Sequence, residues 1–170
     1  MGLPSVLKNF NVFNDGNSYM GLAEEVKLPK LARKMDDFRG GGMNGPVEID
    51  LGQDKLELEF TCGGIVKQVF EQYGTCKVDG VMLRFAGAYQ RDDTCAVQAL
   101  EIVVRGRHKE IDMGDAKAGD KGKFVVKSTL TYYKLTIDNE EVIEIDILNM
   151  IEKVGGKDRL EEQRKAIGLA

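Results

Sequence analysis

Residues 9–52 constrain this chain more than any other stretch, because they join a hairpin signal to a flexible arm with little means of burying itself. The stretch opens N-F-N-V-F-N-D-G-N-S-Y-M-G-L-A-E-E-V-K-L-P-K-L, continues A-R-K-M-D-D-F and closes R-G-G-G-M-N-G-P-V-E-I-D-L-G. Asp15-Gly16 stands between two alternating segments, which predicts a tight turn and so a β-hairpin. Behind it Gly40, Gly41, Gly42 and Gly45 crowd ahead of Pro46. Each glycine loses more backbone freedom on ordering than another residue would. A lone small domain gains little by ordering such an arm, so it is expected to stay mobile or to be ordered against a neighbour. This points to assembly rather than catalysis.

The chain has 170 residues, 42% of them hydrophobic, enough for a single domain with a real core. Its net charge of -4, from 24 basic and 28 acidic residues, argues against a dedicated nucleic-acid binder, which usually carries a strong positive excess. The 20 glycines are about 12% of the chain against a usual roughly 7%, and they fall at strand ends and loops. Cys62, Cys76 and Cys95 are odd in number and fit no metal-ligand spacing; two lie in apolar, strand-like sequence, so buried free thiols and cytoplasmic synthesis are expected. Met1-Gly2-Leu3-Pro4 opens no basic region followed by an apolar run, and Val6 stands where a myristoylation motif needs Ser or Thr. No apolar run reaches membrane-spanning length, so neither a secretory leader nor a membrane anchor is expected.

The clearest strand spans residues 55–62: Leu56, Leu58, Phe60 and Cys62 point one way, and Lys55, Glu57, Glu59 and Thr61 the other. In residues 18–28 the alternation places Met20, Leu22, Val26 and Leu28 on one face and Tyr19, Glu25 and Lys27 opposite, with Glu24 breaking the apolar face. Ile65, Val66, Val69, Phe70 and Tyr73 recur at helical spacing before the stop signal Gly74. Strands at 78–90 and 95–109 follow, joined at Arg91-Asp92-Asp93. Val81, Leu83, Phe85 and Tyr89 share one face of the first; Leu100, Ile102 and Val104 face the core in the second, with Glu101, Arg105, Arg107 and Lys109 outward. In residues 123–137 the apolar phase slips by one, which predicts a bulge or sharp twist near Tyr132-Tyr133. Asp138-Asn139 turns into a strand over 140–151. After Gly155-Gly156, Asp158 and Glu161 form a capping box for a last helix with Leu160, Gln163 and Ile167 inward and Gly168 ending it. The fold class is mainly β with α+β character: an antiparallel barrel or sandwich with one inserted short helix and a C-terminal helix. Long strands with charged outer faces leave edges to be managed or paired with another subunit.

Catalytic chemistry is not legible. His108, the one histidine, stands in the basic run Arg105-Gly106-Arg107-His108-Lys109 and reads as an exposed strand residue. The loop from Gly114 to Gly122 lacks a phosphate-binding lysine and runs strand to strand, while Asp112, Asp115 and Asp120 lack calcium-loop spacing. Arg105, Arg107 and Lys109 with Lys121, Lys123 and Lys127 form either a solvated sheet face or a basic stripe for an acidic partner. The pairs Glu24-Glu25, Asp36-Asp37 and Glu140-Glu141 read as solvated acids. No catalytic residue, cofactor site or metal site is assigned.

Three phrases of the opening stretch resemble the major tail tube protein family of contractile-tailed bacteriophages. They are F-N-D-G-N-S-Y-M-G at 13–21, V-K-L-P-K-L-A-R-K at 26–34 and G-G-G-M-N-G-P-V-E-I-D-L-G at 40–52. The ending fits too, with E-I-D-I-L-N-M-I at 144–151, Gly155-Gly156, Asp158-Arg159-Leu160 and R-K-A-I-G-L at 164–169. It departs at Gly156-Lys157, where a more apolar or Asn-containing turn is usual. The resemblance implies a structural protein of the virion tail whose subunits form six-membered rings, each lending strands to a continuous barrel. The rings stack into a tube inside a contractile sheath, joined to a baseplate. The tube is then a conduit for the tape-measure protein and, on ejection, for DNA that slides through without specific binding.

Within that picture the arm is expected to cross to the next ring, through Phe38, Arg39, Gly40, Gly41, Gly42, Met43 and Asn44, with Phe38 and Met43 as apolar anchors. Lys55, Glu57, Glu59 and Thr61 are the candidate lumen or subunit face. Two alternatives remain on the sequence: a soluble β-barrel enclosing a small molecule, and the tube of a phage-tail-like bacteriocin.

Overall fold

A computed structural model describes residues 2–169. In chain order the strands are β1 (Val6–Asn14), β2 (Asn17–Ser18), β3 (Ala23–Lys27), β4 (Arg33–Phe38), β5 (Val47–Gln53), β6 (Leu56–Cys62), β7 (Val81–Gln90), β8 (Val97–Asp112), β9 (Phe124–Ile137), β10 (Glu140–Asp146), β11 (Ile151–Val154) and β12 (Lys157–Asp158). Helix α1 (Lys67–Glu71) is inserted between β6 and β7, and α2 (Glu161–Ala166) follows β12. The chain is mainly antiparallel β with one inserted and one terminal helix, as the sequence pattern predicts.

β9 organises the larger sheet. Its first half pairs β6, from Leu56↔Leu130 to Cys62↔Phe124, and its second half pairs β10, from Glu140↔Ile137 to Asp146↔Tyr132. β8 runs along its other side and leads through β7 to β1 and β2. β3, on the far side of β6, is joined to β2 by residues 19–22, and the Tyr19 amide donates to the Val12 carbonyl at 2.8 Å. The sheet thus curls into a partly open barrel, with β10, β11 and β12 as a wing beside it. Inward residues of β1, β6, β7, β8 and β9 share one core: Val12, Leu56, Leu58, Phe60, Cys62, Val81, Leu83, Phe85, Ile102, Val104, Phe124 and Val126 are all buried. Each such side chain contributes roughly 1.5–3 kcal/mol against exposure.

The predicted phase slip is a bulge at Thr131. Arg105 faces Tyr132 while Gly106 faces Leu130, so Thr131 is the extra residue. Buried positions step from Phe124, Val126, Ser128 and Leu130 to Tyr133 across it. Gly106 lets β8 press against this point, because a Cβ there would lie 2.0 Å from the Thr129 carbonyl oxygen. The bulge re-aims β9 so that one strand serves both the barrel and the wing.

Several expectations need correction. The Asp15-Gly16 turn forms, both residues at positive φ, but its second strand is only β2, and β3 joins β6 instead. Residues 19–22 turn rather than alternate, which buries Tyr19 (4% exposed) and turns Met20 (81%) and Leu22 outward. The strand expected over 140–151 breaks after Asp146, whose carboxylate accepts from the Asn149 amide at 3.2 Å, and β11 folds back on β10. In the inserted helix only Val66 and Val69 are buried, while Ile65 and Tyr73 are exposed. Asp158 does not cap α2: its carboxylate pairs with Arg164 at 2.6 Å, and no side chain caps that helix. Of the expected inner face of α2, Leu160 is half-buried, while Gln163 and Ile167 (63%) are exposed. Cys62 is a buried thiol, but Cys95 and Cys76 are exposed.

Candidate assembly surfaces

The glycine-rich arm is not a loose segment. Residues 33–53 fold into a second hairpin, β4 against β5, forming a two-stranded sheet of its own with the glycines at its tip. Pairing runs from Phe38↔Val47 through Asp37↔Glu48, Asp36↔Ile49 and Met35↔Asp50 to Arg33↔Gln53. The tip closes locally: the Met43 amide donates to the Gly40 carbonyl at 3.3 Å, and Arg39 Nε donates to the Met43 carbonyl at 3.3 Å. Met43 sulfur lies 3.0 Å from the Gly40 nitrogen. Gly42 takes positive φ, whereas Gly41 and Asn44 are simply exposed. The base is tied to the wing, where Arg33 bridges Asp50 (2.9 Å) and Glu152.

Cross-strand partners share a face, so Phe38, Val47 and Ile49, with Leu51 by alternation, form one apolar side, interrupted by Asp36. Met35, Asp37, Glu48 and Asp50 form the other. Phe38, Val47, Ile49 and Leu51 each leave about half their surface in water. Val47, Ile49 and Leu51 were not among the expected contact residues, although V-E-I-D-L carries a plain period of two. Asp37 and Glu48 lie directly opposite one another, which weakens an isolated pair of strands.

Lys55, Glu57, Glu59 and Thr61 do share the outer face of β6, with Glu59 and Thr61 half-buried. Glu57 accepts from Lys109 at 2.8 Å and lies 3.4 Å from Lys55. The Lys109 hydrogen bond holds the Glu57 carboxyl below the usual range. Across the strands Glu59 faces Lys27 and Lys127, and Thr61 faces Glu25 and Val125. The basic stripe is therefore interleaved with acids: Lys109 with Glu57, Lys127 with Glu110 at 3.6 Å, and Lys121 with Glu24. Arg105 and Arg107 have no acidic partner within 4.0 Å among the described residues. Lys109, Lys121 and Lys127 are thus paired, while the two arginines are not.

His108 is not exposed. It is 5% accessible and points inward, as continuing the alternation Ile102, Val104, Gly106 requires. Its Nε2 lies 2.8 Å from Gln72 Oε1 and its Nδ1 2.9 Å from Ser128 Oγ, and burial pushes its pKa down to about 4. Amides, hydroxyls and one aspartate surround it, and the hydroxyl bonded to it, Ser128 Oγ, is itself sealed in the core at 1% exposure. In the 113–123 loop Asp112 and Asp120 accept from the Gly114 and Gly122 amides at 2.8 and 3.1 Å, which occupies those carboxylates locally. Among the described residues no cluster of three or more His, Cys, Asp or Glu is placed to hold a metal ion, and no helix is long and apolar enough to cross a membrane.

Phe60, Phe124, Leu56, Leu83, Val69, Val104 and Val126 are fully buried, so side chains occupy the interior where the alternative reading places a small molecule. Edges remain open instead. β1 is paired on one side by β7, but on the other only by the two residues of β2 at Phe13 and Asn14. β3 pairs β6 alone.

Comparison with known proteins accords with this geometry. The family described as phage tail tube protein FII matches residues 4–168. The tail tube protein of Escherichia phage P2 is 50% identical over 172 residues, covering 99% of this chain and 100% of the relative. The major tail tube protein of Serratia phage KSP20 is 39% identical over 159 residues, covering 92% and 91%. Two solved chains share the fold. The sheath/tube terminator of the extracellular contractile injection system PVC, in its extended state, has a TM-score of 0.58 at 9% identity, covering 78% of this chain and 96% of that one. A chain of the PVC sheath-tube complex has a TM-score of 0.54 at 10% identity, covering 79% and 91%. With the family matched almost end to end and half the residues shared with a curated member, this chain belongs to the phage tail tube protein FII family.

Proposed function

We propose that six copies of this chain close into a ring, that rings stack into the tail tube, and that the β4–β5 hairpin carries the contact between rings. A tail tube protein is a structural component of the virion tail and not an enzyme. The observation that carries the stacking role is the hairpin's uncovered apolar face, Phe38, Val47, Ile49 and Leu51, on an element that pairs with no strand but its own partner. A second copy laid on that face removes it from water, and the Gly40 to Asn44 tip reaches furthest along the sequence from the hairpin's base. Ring closure uses the open edges of β1 and β3, whose free amides and carbonyls find partners on the next copy.

The ion-paired face at Lys55, Glu57, Glu59 and Thr61 then lines the lumen or the subunit boundary. Its neutralised charges offer DNA no adhesive stripe. Outside the tube lies a contractile sheath, at its end a baseplate, and within it before ejection the tape-measure protein. The likeness to chains of a sheath-tube assembly supports the first of these.

The test is removal of residues 40–44, read by negative-stain microscopy and solution mass. Rings that no longer extend into long tubes are the expected result. Long tubes from the truncated chain would remove the hairpin from ring stacking, and persistent monomers of the full chain at high concentration would remove the tube itself.

A further inference from the structure

Beneath α1 lies a polar network that assembly does not explain. Gln72 closes the helix and makes four hydrogen bonds: Nε2 donates to Asn14 Oδ1 and Asp15 Oδ2, both at 2.7 Å, and Oε1 accepts from Asn14 Nδ2 and His108 Nε2, both at 2.8 Å. The Asp15 carboxylate can only accept, which fixes the amide nitrogen of Gln72 toward it and the oxygen toward His108. His108 therefore carries its proton on Nε2, and Nδ1 accepts from the Ser128 hydroxyl at 2.9 Å. Tyr19 donates to Gln68 Oε1 at 2.7 Å and accepts from Asn14 Nδ2 at 2.9 Å, and Gln68 Nε2 donates to the Asn14 carbonyl at 3.2 Å. Polar residues from β1, the turn after it, α1, β8 and β9 meet here, and Asp15 is the one charged group, reaching His108 through Gln72.

We propose that His108 is an acid-sensitive latch on α1: a proton taken from solvent at Nδ1 undoes the network and releases the helix while the sheet stays closed. That proton meets the hydrogen Ser128 already donates. Ser128, 1% exposed and bonded through its hydroxyl to His108, would have to turn that hydrogen away. The new charge would sit among neutral amides and hydroxyls with Asp15 one side chain away. Relief comes from the weakest wall. β8 is paired on both sides by long ladders, whereas α1 has five residues. Among the described residues its apolar anchors are Val66, Val69 and a Phe70–Phe124 contact at 5.4 Å between ring centroids. Burial already opposes the charged imidazole.

Because the chain has a single histidine, its titration can be followed by NMR without ambiguity. Hydrogen exchange of the full chain, corrected for intrinsic rates, reports α1 separately from β9. Between about pH 7 and about pH 4.5, protection of α1 is expected to fall at least about tenfold and to stay below that of β9, which exchanges only when the whole sheet opens. His108→Gln keeps a donor for Gln72 but cannot titrate, and its α1 protection should not depend on pH. Should that variant not fold, Gln72→Ala should loosen α1 at neutral pH and raise the His108 midpoint. The latch is overturned by an ordinary histidine midpoint, by α1 protection that ignores the titration, or by unaltered pH dependence in His108→Gln.

Discussion

β6 and β5 carry almost the same pattern, L-E-L-E-F-T-C against V-E-I-D-L-G-Q, and end in opposite circumstances. Leu56, Leu58 and Phe60 are sealed between β3, β9 and the inner faces of β7 and β8. Val47, Ile49 and Leu51 have β4 beside them, their apolar face in water. Alternation states that a face needs cover, and it does not say which chain supplies it. In the barrel the cover is intramolecular; on the hairpin, under the proposed stacking, it is the next ring.

The comparison can be broken from either end. Phe60→Ala should cost the isolated subunit about 3–5 kcal/mol in denaturant unfolding, since its cavity has no path to collapse. Acid comes next. The folded pKa of His108, about 4, lies below the unfolded value near 6.5, so the folded state binds fewer protons. Its contribution is complete above about pH 6.5 and is lost as pH falls towards about 4, a drop on the order of 3 kcal/mol that His108→Gln should abolish. Gly106→Ala forces a methyl into the Thr129 carbonyl and should cost about 1–3 kcal/mol in thermal unfolding. Ile49→Asp, by contrast, should change subunit stability by no more than about 0.5 kcal/mol while preventing long tubes in micrographs. Ile49→Asp destabilising the monomer as much as Phe60→Ala would show that the hairpin face is covered by its own chain after all. Lys109→Ala should be smallest, with an unfolding midpoint that matches the parent chain at high salt, because the Glu57 pair is exposed.

The sequence was most readable where one rule acted alone. Leu56 to Cys62 alternate without interruption, the Thr131 bulge declares itself as a slip of phase, and Asp138-Asn139 adopts the positive φ its residues favour. Reading failed where two signals competed. Glycines at 40–45 read as flexibility and hid the strands on either side, whose pairing fixes the tip. Alternation sets Tyr19 on the outer face, but residues 19–22 turn. The charged neighbours of His108 suggest exposure, although Ile102 and Val104 already set the parity that buries it. Asp158 accepts from the Leu160 amide ahead of the helix and from Arg164 six residues on, a partner beyond the reach of a capping motif.

β9 has a mechanical consequence. From Val125 to Ile137 every residue except the bulged Thr131 is paired on both sides, by β8 on one and by β6 or β10 on the other. A pull along this strand loads two ladders in shear, and many hydrogen bonds must yield together. The β4–β5 hairpin, joined by a single ladder, unzips one rung at a time under a pull that parts its ends. Stiffness and compliance are therefore divided within one subunit, with the rigid beam in the barrel and the yielding joint at the hairpin.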